Sequence, residues 1–143
     1  GPQYPDDIDW PANVERIDHL PPADHAAFYC ASRYTLNVTR ADMIAAGWSP
    51  SVRLFEAAAC GTPIISDIWP GLSDLLAPNR EILLADKPEQ ICVWLHEDRS
   101  AVGAAARARI LAEHTADARA AQLEQHLQAA IAQSGADRVI AAE

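Results

Sequence analysis

Apolar and polar positions change period several times along this chain, and the changes predict strands alternating with helices. Residues 14–20 (Val-Glu-Arg-Ile-Asp-His-Leu) alternate apolar and polar side chains, the period of a half-exposed strand. Pro21-Pro22 stops that run, and residues 23–32 read as a short helix with Pro22 and Asp24 at its start. Residues 34–39 (Tyr-Thr-Leu-Asn-Val-Thr) are strand-like in composition. A connection over 40–48 carries one helical turn at 42–46. The next helix opens after Ser49-Pro50-Ser51, where either serine can cap it, and Val52, Phe55 and Ala59 recur at helical spacing. Gly61 stops this helix, and residues 63–66 form a buried apolar strand. Residues 71–76 predict a short helix or turn, 81–85 another buried strand and 90–96 a helix. From Asp98 the pattern is helical, weakened at Gly103 and broken at His114-Thr115, where Thr115 can cap the last helix. Leu123, Leu127, Ala130 and Ile131 make one stripe there, and Ser134-Gly135 ends it.

This alternation implies parallel βαβ units in one α/β domain, a Rossmann-like parallel sheet flanked by helices. The domain is expected over residues 1–133, with 134–143 a frayed tail. Residues 1–11 read as a strand end at Gly1-Pro2-Gln3 followed by a turn-rich acidic loop. Half of the 143 residues are hydrophobic and 22% charged, which permits a packed core. The net charge of −9 argues against a nonspecific nucleic-acid surface, yet leaves room for a local cationic pocket among Arg16, Arg33, Arg40 and Arg53. Cys30, Cys60 and Cys92 lack metal-ligand spacing and read as buried, reduced thiols of a cytoplasmic protein. No apolar run approaches the roughly 20 residues of a membrane helix. The Asn37-Val38-Thr39 sequon, inside a strand-like run, carries no expectation of its own.

Nucleotide-loop, zinc-protease and serine-hydrolase motifs are all missing. The candidate chemistry instead gathers at strand ends, where open α/β sheets bind ligands. Leu20-Pro21, Thr39-Arg40 and Ser66-Asp67 should face one crevice together with the start of the helix that carries Glu56. That helix start, after a small-residue loop, presents free N–H groups suited to phosphate. Glu56, less than two turns on, is placed either for sugar hydroxyls or for an ion pair with Arg53 or Arg16. Arg40 can grip phosphate or pair with a surface carboxylate, and for Arg53 the ion pair is the better reading. His19, at a strand end, is open between ligand contact and a plain structural role. His25, His96 and His126 read as solvated helix positions.

The stretch Arg53-Leu-Phe-Glu-Ala-Ala-Ala-Cys-Gly-Thr-Pro-Ile-Ile65 resembles the signature of group 1 glycosyltransferases, in which a helix with Glu-Ala-x-Ala-Cys-Gly-x-Pro precedes a buried strand. Ser49-Pro50-Ser51 and Asn37-Val38-Thr39-Arg40 resemble the spore-maturation, CgeB-like branch. The resemblance spans about residues 14–127 and implies the C-terminal, donor-binding half of a GT-B fold, truncated at its N-terminus. It implies a nucleotide-diphosphate sugar donor, an unidentified acceptor and no cofactor or metal. By resemblance, Glu56 receives the ribose hydroxyls, the Ser51 and Val52 backbone holds the diphosphate, and residues 19–21, including His19 and Leu20, lie near the base; Ser49 at the helix start and Arg40 at a strand end complete the candidate nucleotide-binding set.

Two departures qualify it. Many members carry a second glutamate where this chain has Trp48, and Ser49-Pro50-Ser51 replaces their Gly-Phe-Gly. Members also have two further central strands before Val14 and a separate N-terminal domain. The chain, which opens on Gly-Pro, is therefore expected to be a fragment, inactive alone, that self-associates through exposed apolar edges. The competing reading is a nucleotide-binding or regulatory module of the same fold without turnover. A flavodoxin-like or response-regulator domain is disfavoured, because no strand ends in an acidic cluster and no flavin phosphate loop is present.

Overall fold

Three short parallel strands carry the architecture. The computed structural model describes residues 4, 5 and 7–140, with side chains as far as residue 133. The elements are α1 (Pro22–Ala31), β1 (Thr35–Asn37), α2 (Ala41–Ala46), α3 (Val52–Ala59), β2 (Ile64–Ser66), α4 (Leu72–Leu75), β3 (Leu83–Leu84), α5 (Pro88–Trp94), α6 (Ser100–Glu113) and α7 (Ala116–Ile140). The sheet order is β1-β2-β3, with Leu36 opposite Ile65 and Ile65 opposite Leu83, all parallel. Helices connect successive strands, as parallel pairing requires.

The α3–β2 corner is the tightest part of the fold. Ser51 caps α3, its hydroxyl accepting the Arg53 N–H at 3.3 Å. At the other end the chain turns through Gly61, at a φ of +76° that residues with side chains rarely adopt. The Gly61 N–H donates to the Ala58 carbonyl and the Thr62 N–H to the Ala57 carbonyl, the paired bonds that close a helix C-terminus. The chain then enters β2, which is buried throughout.

Onto this corner packs α6. A Cβ on Gly103 would lie 2.1 Å from the Gly61 carbonyl oxygen, so no larger residue fits there in this geometry. Gly103, which weakens the helix by propensity, is what allows the helix to approach. Arg107 adds a bond from Nε to the Ala59 carbonyl at 3.0 Å. Apolar side chains fill two clusters. Leu54, Ala57, Ala58, Ile64, Leu72, Leu76, Ile82, Ala106 and Ile110 make the larger, with Tyr29 and Trp69. Ile65, Leu83 and Val102 make the smaller, closed by Tyr34, Ile91 and Trp94.

Several expectations need correction. Residues 14–20 form no strand. They are irregular, with the Val14 N–H turned back to the Pro11 carbonyl, and they share a hollow with Phe28 of α1 instead of joining the sheet. A period of two requires only an extended chain with one exposed side; a strand also requires a partner in register. The inner face of α3 is Leu54, Ala57 and Ala58, while Val52 is 71% exposed. Cys30 and Cys92 are exposed and Cys60 half-buried, all three as free thiols. The last helix runs on through Ser134-Gly135 to Ile140. The expected strand end at residues 1–3 lies outside the described residues. Among those described, no helix is long and apolar enough to cross a membrane.

Candidate functional site

A cavity of about 470 Å³ opens between α1, α3, the edge strand β1 and residues 17–20. Its wall brings together His19, Leu20, Ser51, Val52 and Glu56. Helical spacing supplies the rest: His25 and Tyr29 are one turn apart on α1, and Arg53 and Glu56 one turn apart on α3.

Glu56 is held by a residue whose role the sequence did not reveal. His25 Nδ1 lies 3.3 Å from each Glu56 carboxylate oxygen, and His25 Nε2 lies 3.1 Å from the Leu20 carbonyl. The two ring nitrogens face one acceptor each. His25 thus ties the 17–20 segment to α3, and it is not the solvated helix position expected. Its spacing from Phe28 and Tyr29 on one face of α1 was the available signal. The Glu56 side chain keeps 40% exposure, leaving carboxylate surface open to the cavity. Behind it, burial and then the Glu56 charge push the Tyr29 phenol up, and the neighbouring Arg53 guanidinium pulls it back. Arg53 therefore belongs to the cavity wall. Arg16, the other expected partner of Glu56, instead bonds Asp18 at 3.0 Å.

The remaining candidates fall elsewhere. Ser49 and Arg40 do not line this cavity; Arg40 precedes α2 as its N-cap. Thr39, Ser66 and Asp67 form a separate polar lock across the ends of β1 and β2. Asp67 Oδ2 accepts the Thr39 N–H at 3.0 Å, and Oδ1 accepts the Thr39 hydroxyl at 2.8 Å and the Ser66 hydroxyl at 3.2 Å. Asn37, 2% exposed, donates to Ser66 Oγ at 3.0 Å beneath them, which puts the sequon nitrogen out of reach. The expected single crevice is thus divided, because these short side chains satisfy one another. A second hollow of about 300 Å³, lined by Cys30, Cys60, Arg33 and Tyr34, includes Thr62 and Pro63, which precede β2. Among the described residues no group of three or more His, Cys, Asp or Glu side chains is placed to hold a metal ion.

A parallel sheet with a cavity walled by a capped helix and a held carboxylate defines a small α/β domain of the kind that forms part of GT-B-like Rossmann folds. The chain belongs to the glycosyl transferase-like family, whose sequence profile it matches over residues 1–125. Its fold is similar to that of sucrose-phosphate synthase from Thermosynechococcus elongatus, with a TM-score of 0.57 and 24% identity. That similarity covers 74% of this chain and 27% of the synthase, so the chain spans about a quarter of its length. No curated protein matches the chain.

Proposed function

We propose that this chain is the donor-binding domain of a glycosyltransferase of the CgeB-like branch, taking a nucleotide-diphosphate sugar. The observation that carries the reading is Glu56, held by His25 in a cavity that also contains Leu20 and the start of α3. In this reading the open face of the carboxylate accepts the two ribose hydroxyls. The base lies along His19 and Leu20. The backbone at Ser51 and Val52 faces the diphosphate, with the positive end of α3 behind it. Transfer then proceeds by holding donor and acceptor in line and stabilising the diphosphate as it leaves. A second domain closing over the cavity supplies the acceptor side.

A reading without turnover has one observation in its favour. Trp48 stands eight residues before Glu56, where the resemblance places a sugar-contacting glutamate, and it offers no carboxylate. Titration with uridine and guanosine diphosphates tests what the two readings share. Binding is expected in the wild type. Glu56→Ala should weaken it roughly 10- to 100-fold, since hydrogen bonds to a charged group contribute about 1.5–3 kcal/mol. Unchanged affinity in Glu56→Ala would remove the ribose assignment. Turnover of a nucleotide sugar by the protein then separates an enzyme from a binding module.

A further inference from the structure

Two thiols that the nucleotide reading leaves unused come together where the helices walling its cavity end. Cys30 is the penultimate residue of α1, and Cys60 is the C-cap of α3. The two helices pack on each other, and both cysteines line the second hollow, of about 300 Å³. The backbone around them is pinned. Thr62 Oγ1 is buried and donates to the Tyr29 carbonyl at 2.6 Å, which fixes the residue before Cys30 against the turn that follows Cys60. The thiols also act on each other. Burial pushes the Cys60 thiol up, the Cys30 charge and a side-chain hydrogen bond with Cys30 push it further, Glu56 adds to this, and the Arg107 guanidinium opposes. Cys92, the third thiol, is exposed on α5 and does not line the hollow.

We infer that Cys30 and Cys60 are a redox-modification site, a thiol pair that closes to a reversible disulfide and locks α1 to α3. The oxidant class is a small-molecule disulfide such as oxidised glutathione. Cys30, the exposed member, reacts first. Its thiolate attacks one sulfur of the external disulfide, which forms a mixed disulfide and releases one small thiol. Cys60 then gives its proton to water, and its sulfur attacks that of Cys30, closing the protein disulfide and releasing the second small thiol. The pair loses two electrons and two protons, and the external disulfide is reduced to two thiols. The bond joins the helix that carries His25 to the helix that carries Glu56, so oxidation fixes the spacing of the cavity walls. The pairing itself does not rest on what that cavity binds.

The test treats folded Cys92→Ser, in which only the pair remains, with oxidised glutathione. Both thiols should be lost, with a mass lower by two hydrogens, no glutathione adduct and no covalent dimer on a non-reducing denaturing gel. Dithiothreitol should restore both. The oxidised form should have a higher urea midpoint than the reduced form, because the bond closes a loop of about 30 residues in the unfolded chain. Cys30→Ser in the same background should keep its midpoint under the same treatment. Thiols that survive oxidation overturn the site, as does a glutathione adduct that persists on Cys30 while Cys60 stays free, or a bond between chains. A lowered midpoint in the oxidised form also overturns it, since the folded helices would then resist the bond.

Discussion

Glu56, which the sequence leaves open between sugar hydroxyls and an ion pair, lines a cavity with His19, Leu20, Ser51 and Val52. What holds it was not legible. His25 reaches Glu56 from another helix, and only the packing of α1 on α3 makes them neighbours. Arg53 on the cavity wall shows the same limit: periodicity gives a helix face, not what faces it. At this scale the molecule also has a defined acid response. His114 takes a hydrogen bond from Arg119 on Nδ1, and its Nε2 is buried without a partner beside Phe55. Burial and then the Arg119 charge push its imidazole below the ordinary value of 6.5, with Arg109 acting the same way and Glu113 opposing. The fold therefore favours the neutral ring. Above 6.5 neither the folded nor the unfolded state carries the charge, so this contribution is complete. As pH falls below 6.5 the unfolded chain takes up the proton first, and the contribution is lost through the folded value. Urea midpoints measured against pH should fall more steeply in wild type than in His114→Gln below that point; parallel profiles would remove the assignment.

Among the elements, those with local stop and start signals were read well. Pro22 begins α1, Ser51 caps α3, Gly61 closes it and Thr115 opens α7, its hydroxyl accepting the Ala118 N–H at 3.2 Å. Such signals act within a few residues, so the sequence carries them whole. The segment 14–20 failed because strand pairing is not local. Gly103 shows the same limit in reverse. By propensity it is a weak point; by position it is the contact that seats α6 on the α3–β2 corner. Gly103→Ala is expected to destabilise the protein by about 1–3 kcal/mol or more despite alanine's better helix propensity, because its methyl group meets the Gly61 carbonyl. Chemical denaturation measures this directly. A stabilised variant would mean that α6 can move away without loss.

Across the whole molecule, the α/β class and parallel order followed from the alternation of elements, and the family from the residues around Glu56. Exposed apolar edges were expected as well, and the structure shows which side chains make them. On α7, Leu123, Leu127 and Ile131 are 59%, 56% and 72% exposed, and at the sheet edge Leu36 and Val38 are 50% and 78% exposed. Surfaces of this kind favour association. Sedimentation velocity is expected to show a concentration-dependent species larger than the monomer. Leu123→Glu with Leu127→Glu should shift it toward monomer if α7 carries the contact. A wild type that stays monomeric at all concentrations would count against association.

The meeting of Gly61 and Gly103 also reaches beyond a single molecule, into descent. Two positions far apart in the chain share one small volume, so neither can drift alone. A lineage that gains a side chain at 103 must first move the carbonyl at 61, and with it the corner that sets α3. Among relatives, these two positions and the proline at 63 should therefore change together, a covariation detectable by counting pairs of substitutions.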